Sequence, residues 1–586
     1  MIRWFAVIAL LLVALRHGAD ASAAPSQSSA DVVVYGGSSA GVIAAVQSAR
    51  LGKKVILIEP GKFIGGLTAG GLGMTDTGVD TTIGGTSREF YERIYRYYAQ
   101  PAAWKTEKRE DYLAFLPKGW AYNGKPTDES KIQFVFEPSA ATAVYNDMLR
   151  EAGVQLITQQ RIDRTSGTGV KKEGWRIASI KMETGQVYSA KVFIDATYEG
   201  DLMATAGVTY TTGREANAVY GETFNGILPS GALPFPKVSP YIVPGDPTSG
   251  LLPRVEPKPP GPVGAGDARQ QAYNFRVCIT NVPENRVPFE KPANYDPLHF
   301  ELLARWIATM KVPPKPGTST IGLVALAGDN KNLVLSFHRV PNLKTDSNVA
   351  SEFGTDYLGR SWGWADGDYA TREALWQEHK DHIQGLLWFL ANDPRCPEPV
   401  RNEMQKWGLA KDEFVENGNW PFQLYVREAR RMISDYVMTE HDARGDRVAE
   451  DPVALASYTS DSHGVTLFLN EKGVLCREKG FFVRTGVFPI SYRAIRPRRG
   501  EGDNLIVPTA LSSSHAAYGP MRMEPVFMML GQAAGTAASL AIDEKTTAQD
   551  LPYEKLRDKL LADHAILMWK TTEKDATTKV RESDAR

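Results

Sequence analysis

The segment from Asp31 to Ile58 constrains the fold more than any other part of the chain. An apolar run over Asp31–Tyr35 leads directly into a glycine-rich turn at residues 36–41. An alanine-rich stretch to about Leu51 and a second apolar run over Val55–Ile58 follow. This order of strand, tight turn, helix and strand predicts a βαβ unit, with which a parallel sheet flanked by helices begins.

Similar elements are predicted near both ends of the chain. A helix and a strand are expected between about residues 139 and 158, before a strand at residues 192–195. A strand at residues 504–507 and a helix from about 525 to 542 lie near the C-terminus. The predicted fold class is therefore α/β: a Rossmann-like domain, a parallel sheet with flanking helices, built from both ends of the chain.

The length of 586 residues exceeds what one compact core normally holds, so several domains are expected. The stretch between the two Rossmann-like parts contains aromatic-rich helical segments around Trp306 and at residues 384–389, and we interpret it as an inserted α+β substrate domain. The predicted boundaries are a signal peptide at 1–24, a first Rossmann-like part at 30–215, the inserted domain at 216–484, a C-terminal Rossmann-like part at 485–570 and a polar tail at 571–586.

The N-terminus has the composition of a secretory signal. Arg3 precedes an apolar run over residues 4–15, and small residues surround positions 21–24, which predicts cleavage after Ala23 or Ala24. A membrane anchor is the alternative, but about a dozen apolar residues are fewer than the ~20 that span a bilayer. We therefore expect an exported protein, periplasmic or secreted, without a stable membrane span after cleavage.

Charge and cysteine content exclude several classes of function. A formal net charge of -1 provides no basic surface for nucleic acid, so no such partner is predicted. The three cysteines form no close pair, which excludes a CxxC redox pair and a cysteine-rich metal site and permits at most one disulfide. No metal is predicted.

The turn at residues 36–41 has the pattern of a dinucleotide-binding turn. Gly36 and Gly41 stand where a Cβ would block the approach of a pyrophosphate to backbone N–H groups, although Ser38 occupies a position where glycine is usual. Glu59 ends the second strand, where a carboxylate can accept both ribose hydroxyls. The alternative is a tight strand-to-helix turn that binds no ligand.

A second glycine cluster at residues 65–73 favours FAD over a nicotinamide cofactor. Such a stretch can lie flat against an extended cofactor, with backbone donors and the Thr68 hydroxyl reaching phosphate and flavin. An ordinary flexible loop is the alternative, because loops are rich in glycine for turn reasons alone.

These motifs resemble those of the FAD-dependent oxidoreductase family, whose N-terminal half is similar to fumarate reductase and succinate dehydrogenase flavoproteins within the glutathione-reductase-like fold. The matching segments cover nearly all of the mature chain and are residues 33–41, 59–60, 65–73, 194–201, 271–276, 425–431, 461–463 and 522–535. The resemblance implies a noncovalent FAD and an oxidoreductase, but no particular substrate.

The turn, the second glycine cluster and the resemblance together predict a set of cofactor-binding residues. The resemblance places Asp195 and Ala196 beside the pyrophosphate and the segment from Gly531 at the flavin ring. The full predicted set is Gly36, Ser38, Ala40, Gly41, Glu59, Gly65, Gly66, Thr68, Gly70, Gly71, Asp195, Ala196, Gly531, Gln532, Ala533 and Ala534.

The C-terminal helix is predicted to begin near Glu524, because Pro525 is favoured at a first helical position. If its N-terminus points at the N1/C2 oxygen edge of the flavin, its dipole stabilises the reduced ring. A plain core helix is compatible with the same residues.

Histidine is the commonest proton-transfer group near neutral pH, and two histidines are candidates. His515 is the first, because it is expected in the loop between the strand at 504–507 and the flavin-facing helix. His463 is the second. Arg427 and Arg431 are predicted on one helix face, at i and i+4, where they could bind a carboxylate or donate a proton; a solvated, ion-paired helix face is the alternative.

The function predicted from the sequence is hydride transfer between flavin N5 and a small organic substrate, with an unidentified electron acceptor. One alternative is a flavin-dependent reductase of activated C=C bonds, with Arg427 or Arg431 as the proton donor. Another, from a different class, is an exported non-redox binding module that retains FAD as structure.

Overall fold

The computed structural model describes residues 27–116, 129–232, 238–309, 335–349 and 353–569. The predicted signal peptide and polar tail lie outside the described residues. Within these ranges the helices are α1 (Ser39–Arg50), α2 (Gly66–Ala69), α3 (Gly85–Tyr98), α4 (Arg109–Phe115), α5 (Pro138–Ala152), α6 (Asp201–Thr205), α7 (Asn217–Tyr220), α8 (Glu301–Ala308), α9 (Tyr369–Asn392), α10 (Glu398–Met404), α11 (Glu440–Arg444), α12 (His515–Met521), α13 (Glu524–Asp543) and α14 (Tyr553–Ala562).

The strands are mostly short. They are β1 (Gln27–Tyr35), β2 (Val55–Ile58), β3 (Gln155–Ile157), β4 (Val170–Glu173), β5 (Arg176–Lys181), β6 (Val187–Asp195), β7 (Tyr210–Thr211), β8 (Ser230–Ala232), β9 (Val255–Glu256), β10 (Val277–Thr280), β11 (Arg286–Val287), β12 (Leu335–Val340), β13 (Lys344–Val349), β14 (Gly408–Ala410), β15 (Arg431–Met432), β16 (Pro452–Ala456), β17 (Ser460–Ser462), β18 (Thr466–Leu469), β19 (Leu475–Glu478), β20 (Phe481–Val483), β21 (Phe488–Ser491) and β22 (Leu505–Ile506).

The main sheet joins the two ends of the chain, as predicted. Its strand order is β3-β2-β1-β6-β5-β4, and β22 pairs with β6. The pairs β2–β1, β1–β6 and β22–β6 are parallel, whereas β5 is antiparallel to β6. Because β22 lies some 300 residues after β6 and still pairs with Phe193 and Ile194, the Rossmann-like fold class is confirmed.

Helices α1 and α13 pack closely on this sheet. A Cβ on Gly531 would lie 2.3 Å from the carbonyl oxygen of Ala40, and one on Gly535 would lie 2.5 Å from that of Ala44. Glycines at i and i+4 of α13 therefore let the two backbones approach. The window of α13 that is apolar enough to cross a membrane is 89% buried in the protein, as expected for a core helix.

Between the two parts of the main sheet, the chain forms further sheets and helices. A five-stranded sheet has the order β11-β14-β10-β13-β12, and β8, β19, β18 and β9 form a four-stranded sheet. Helices α8 and α9 contain Trp306 and residues 384–389, as predicted. The exact domain boundaries stay predictions. The thiols of Cys278, Cys396 and Cys476 are free and buried.

The predicted helix at Arg427–Arg431 is wrong. The backbone from Arg427 to Arg430 is not helical, and β15 begins at Arg431. Backbone groups on either side bond to distant segments: the Tyr425 N–H donates to the Asn274 carbonyl and the Met432 N–H to that of Ala510. These bonds replace the i to i−4 ladder, so the two arginines do not share a helix face.

Candidate functional site

The turn between β1 and α1, residues 36–41, which we call the phosphate turn, requires glycine at both of its ends. Gly36 has a φ of 101°, and a Cβ there would lie 2.5 Å from the Thr197 backbone nitrogen. A Cβ on Gly41 would lie 1.8 Å from the Gly36 carbonyl oxygen. No other residue fits either position without moving the backbone. The turn therefore has the tight geometry that brings the N-terminus of α1 toward a phosphate, and Ala40 lies buried in the first turn of that helix.

Ser38 departs from the usual glycine for a physical reason. It is the N-cap of α1: its hydroxyl oxygen accepts from the Gly41 N–H at 3.3 Å and donates to the Ala196 carbonyl oxygen at 2.6 Å. One side chain thus caps the helix and holds the end of β6 against the turn. The serine stabilises the geometry that a glycine would only permit.

Asp195 joins the end of β6 to α6. One carboxylate oxygen accepts from the Thr197 N–H at 3.0 Å and the Thr197 hydroxyl at 2.7 Å, and the other accepts from the Met203 N–H at 2.7 Å. Burial outweighs these bonds and raises the pKa of Asp195 to about 7. Asp195 and Ala196 therefore lie beside the phosphate turn, and Asp195 has a structural role there.

Glu59 lies beneath the same turn. Its carboxylate accepts from the N–H groups of Gly37 and Gly61, both at 2.6 Å. Although the residue keeps some exposure, burial of the carboxyl outweighs these two bonds and raises its pKa to about 7. The carboxylate is thus fixed at the carboxyl end of β2, where the sequence predicts that it binds a ribose.

The second glycine cluster folds back as the short helix α2 rather than running flat throughout. Gly65 and Gly66 both have positive φ, and a Cβ on Gly66 would lie 2.2 Å from the Tyr198 hydroxyl. The Thr68 hydroxyl donates to Glu524 at 2.7 Å, and the Tyr198 hydroxyl donates to the same carboxylate at 2.8 Å. This segment is therefore bound to the N-terminus of α13, which begins at Glu524 as predicted.

Gly70 and Gly71 continue this segment toward the middle of the molecule. A Cβ on Gly70 would lie 2.3 Å from the Gln423 side chain, and one on Gly71 2.2 Å from the Arg276 carbonyl oxygen. The chain then passes Gly73, whose N–H donates to Asp346 at 3.1 Å. The glycines let the segment pass close to Gln423 and Arg276, which belong to the part of the chain between β6 and β22.

Gly531, Gln532, Ala533 and Ala534 lie inside α13 rather than in a loop. Gly531 contacts α1, and the Gln532 side chain accepts from the Thr86 N–H at 2.9 Å. Both alanines are fully buried. These contacts explain why small residues are needed here, and a role at the flavin ring stays a prediction for this segment.

The segment after Gly71 enters a group of charged and polar side chains that we call the outer cluster: Asp76, Asp356, Tyr425, Arg427, Asp461, His463 and Arg522. At its centre His463 Nδ1 lies 2.6 Å from Asp356 and His463 Nε2 lies 3.4 Å from Asp461. Arg427 binds the other oxygen of Asp356 at 2.9 Å, and Arg522 binds Asp461 at 2.9 Å.

Part of the outer cluster is open to solvent. The side chains of His463 and Asp461 are 21% and 18% exposed, whereas Arg427 and Arg522 are buried beneath them. Arg522 also donates to the Tyr425 hydroxyl at 2.7 Å. An accessible imidazole between two carboxylates, supported by buried arginines, is an arrangement that can transfer a proton.

Charges within the outer cluster shift its pKa values in a consistent way. Burial and Arg427 disfavour the imidazolium, but Asp356 and Asp461 outweigh them and raise the pKa of His463. Burial also disfavours the Asp461 carboxylate, but His463 and Arg522 lower its pKa to about 2. For Asp76, burial and the charge of Asp461 raise the pKa despite nearby Arg276. Perturbed groups in a partly open cluster mark a candidate active site.

A second group, the inner cluster, consists of Glu215, Glu428, Arg431, Ser462 and His515. His515 Nδ1 lies 2.7 Å from Glu428, and His515 Nε2 lies 3.2 Å from the Ser462 hydroxyl. Arg431 binds Glu215 at 2.6 Å and Glu428 at 3.2 Å. The side chains of His515, Glu428 and Arg431 are at most 1% exposed.

The two clusters lie back to back because the same extended segments supply both. Successive side chains of a strand point to opposite faces. On β17 and just after it, Asp461 and His463 belong to the outer cluster and Ser462 to the inner one. Arg427 and Glu428 divide in the same way.

The structure therefore places the four predicted catalytic residues in two different clusters. His463 and Arg427 lie in the outer cluster, whereas His515 and Arg431 lie in the inner one. His515 begins α12 and does not lie in a loop, contrary to expectation. Sequence reasoning did not identify Asp76, Asp356, Tyr425, Asp461 or Arg522 as site residues, although three of them stand in segments that carry the family resemblance.

Apart from these two clusters, three acidic side chains surround a lysine. Glu137, Asp412 and Glu413 converge on the Lys344 ammonium, each at 2.7 Å. Their carboxylates are close enough to hold a metal ion, but the buried ammonium already supplies the compensating charge. Lys344 lies on β13, Asp412 and Glu413 follow β14, and Glu137 precedes α5, so the ion pairs join these elements and have a structural explanation.

Comparison with known proteins gives a family and several partial similarities. The model of a family described as FAD dependent oxidoreductase matches residues 31–560. The chain is 27% identical over 179 residues to Protein FixC of Salmonella typhi, of which it spans 38%, with 30% of this chain aligned. Among solved structures, L-proline dehydrogenase from P. horikoshii aligns with 91% of this chain and 98% of its own at 12% identity and a TM-score of 0.30. The amino acid oxidase NikD aligns with 32% and 57% at 18% identity and a TM-score of 0.20.

Proposed function

Because the chain belongs to the FAD-dependent oxidoreductase family, we propose that it is an exported enzyme that oxidises a small polyhydroxylated organic substrate at the outer cluster. The observation that carries the proposal is the partly exposed His463 ring between Asp356 and Asp461. Membership of this family also argues against the alternative function, a non-redox binding module. An oxidoreductase needs an electron acceptor in addition to its substrate.

The residues around the phosphate turn fit FAD. Gly36 and Gly41 keep the turn clear of side chains, and Glu59 is held where it can accept from ribose hydroxyls. The cofactor binds without a covalent link in this proposal. When bound, FAD supplies two-electron redox chemistry by exchanging a hydride at its N5 atom.

The outer cluster supplies the proton chemistry. In the oxidation of an alcohol the substrate loses a hydride from carbon and a proton from oxygen, and His463 takes the proton. Asp356 orients the ring through Nδ1, which leaves Nε2 on the side of Asp461. The partly exposed carboxylates of Asp76 and Asp461 accept hydrogen bonds from further substrate hydroxyls, which favours a polyol or carbohydrate.

Burial of the arginines favours oxidation over reduction of a C=C bond. The reductase alternative needs Arg427 or Arg431 as the proton donor. Arg427 is bound to Asp356, and Arg431 to Glu215 and Glu428, and both side chains are fully buried. A guanidinium held in this way is poorly placed to reach a substrate carbon.

The substrate proposal is tested by anaerobic stopped-flow absorbance of the FAD-loaded protein. A panel of neutral sugars and polyols should contain compounds that bleach the flavin bands, and matched deoxy-sugars should react more slowly. Reoxidation of photoreduced protein by fumarate-like acceptors, with no bleaching by any polyol, would instead support the C=C reductase. Glu59→Ala should weaken FAD binding at least tenfold, because the anchoring carboxylate is lost.

Export is proposed from the N-terminal sequence alone. Expression of the full chain in a bacterial host, followed by cell fractionation and mass spectrometry, should give a periplasmic or secreted protein that begins after Ala23 or Ala24. A cytoplasmic protein with an intact N-terminus would contradict export without affecting the redox proposal.

A further inference from the structure

Arg254 is a buried arginine without a charge partner. Only 9% of the residue is exposed, and among the described residues it forms no ion pair with a carboxylate. Its Nε and Nη1 atoms are buried and have no hydrogen-bond partner. An unpaired buried charge costs several kcal/mol, so such a group points to an ion that completes the site.

The surroundings of Arg254 do not neutralise its charge. The guanidinium lies 5.9 Å from the centre of the Tyr357 ring. The His382 ring stacks on the Tyr357 ring with the two centroids 4.3 Å apart. The centroid of the His299 ring lies 5.5 Å from that of Tyr357. Burial and the charge of Arg254 lower the pKa of His299 to about 3 and that of His382 well below its ordinary value, so both imidazoles are neutral.

The imidazoles add further unused polar atoms. Nε2 of His299 and Nδ1 of His382 are buried without a partner. His382 Nε2 lies 3.3 Å from the Gly354 carbonyl oxygen, which is its one hydrogen-bond contact among the described residues. Burial lowers the pKa of Arg254 to about 10, so the guanidinium is still charged near neutral pH. The backbone of Arg254 also has a φ of 73°, a conformation rare for a side chain of this size.

We propose that Arg254, with His299, Tyr357 and His382, forms a binding site for a small oxyanion, the carboxylate or phosphate group of an organic molecule. The anion accepts from the free guanidinium N–H groups and compensates the buried charge. His299 and the exposed Arg360, which also influences its pKa, connect the site to the surface. The site is separate from the phosphate turn, and the proposal does not depend on the substrate of the outer cluster.

The site lies next to the outer cluster through two consecutive residues. Asp356 binds His463, whereas the ring of Tyr357 packs against the Arg254 guanidinium and the His382 ring. An anion that orders Tyr357 therefore acts on the segment that orients the candidate proton-transfer histidine. Binding at this site can consequently be measured through the enzyme as well as directly.

The test uses FAD-loaded protein, so that the phosphate turn is already filled. Thermal unfolding is followed with sodium acetate or sodium phosphate, each against sodium chloride at equal ionic strength. We expect one of the two anions to raise the Tm by roughly 1–3 °C at ten times its Kd. A rise with acetate identifies a carboxylate site, and a rise with phosphate identifies a phosphate site. No rise with either anion would overturn the proposal.

The informative variant is Arg254→Met, which removes the charge and keeps an apolar side chain of similar length. We expect it to abolish the anion-dependent rise and to raise the Tm in chloride alone, because no charge is then buried unpaired. Arg269→Met is the matched control: Arg269 also stacks on an aromatic ring, that of Trp362, but is 27% exposed and near Asp267. The control should keep the rise, and an equal rise in the Arg254 variant would contradict the site.

Should the methionine variant fail to fold, Arg254→Lys retains the charge and removes the guanidinium. Isothermal titration of the FAD-loaded lysine variant should then give a Kd for the same anion at least tenfold higher than that of the parent protein. An unchanged Kd would overturn the role of Arg254.

Discussion

The outer and inner clusters are built from the same kinds of residues. Each centres on a histidine whose Nδ1 lies within 2.7 Å of a carboxylate, and each contains a buried arginine. They differ in access: the His463 side chain is 21% exposed and that of His515 is 1% exposed. Composition and hydrogen bonding are thus alike at the two histidines, and the difference in solvent access is the ground for the proposal that His463 is the reactive one.

The largest expected effect is a loss of activity when His463, rather than His515, is replaced. His463→Asn keeps a side chain that can bond to Asp356 but removes the proton-transfer group. We expect the rate of flavin reduction by substrate to fall by about 10²–10⁴-fold, the usual contribution of general acid–base catalysis, with FAD content unchanged. Anaerobic stopped-flow measurements check this. A rate within twofold of the parent would remove His463 from the mechanism.

The second expected effect is a loss of stability when His515 is replaced. His515→Ala removes the imidazole that contacts the buried Glu428 carboxylate, while Arg431 still binds that carboxylate, so the free energy of unfolding should fall by about 1–3 kcal/mol. The rate of flavin reduction per folded, FAD-bound molecule should change less than tenfold. Urea unfolding and stopped-flow absorbance measure the two quantities. A stable variant that has lost its activity would reverse the comparison and make His515 the reactive histidine.

The third prediction uses pH. Asp356 and Asp461 raise the pKa of His463 above its unfolded value of about 6.5, so its charge contributes stability below that pH, and this contribution is lost as pH rises through the folded pKa. The stability difference between parent and His463→Asn, measured by urea unfolding, should therefore be largest below about pH 6.5 and shrink as the pH rises through the raised pKa.

The same titration should appear in the kinetics. Neutral His463 accepts the substrate proton, so flavin reduction should speed up as pH rises through the raised pKa. Asp356→Asn removes one cause of the shift and should move the inflection to lower pH. An inflection that stays in place would mean that a different group controls the rate.

The sequence contained most of the information about the Rossmann-like fold. Strands β1, β2 and β6 and helix α13 follow from local apolar patterns, and Gly36 and Gly41 follow from the backbone conformation that the turn needs. These features depend on neighbours within a few residues. The reason for Ser38 was not accessible in this way, because its hydroxyl bonds to Ala196, 158 positions along the chain.

The candidate site could be predicted only in part for the same reason. The arginines at 427 and 431 suggest a helix because their spacing matches one turn, but the carboxylates that they bind most closely lie 71 and 216 positions away. Sequence reasoning also ranked His515 above His463. The two histidines differ in exposure, and exposure depends on how distant segments pack on the two faces of β17.

The smallest predicted effect concerns two serines on the same strand, β17. Ser460 and Ser462 both point to the inner side of β17, where Ser460 donates to the Ala516 carbonyl and Ser462 lies 3.2 Å from His515 Nε2. Either serine replaced by alanine should lower the free energy of unfolding by about 1 kcal/mol, the usual value of one hydrogen bond, and leave flavin reduction unchanged. Ser460→Ala is the control for packing. If Ser462→Ala alone slowed flavin reduction more than tenfold, the inner cluster would take part in the chemistry, because only Ser462 contacts the imidazole.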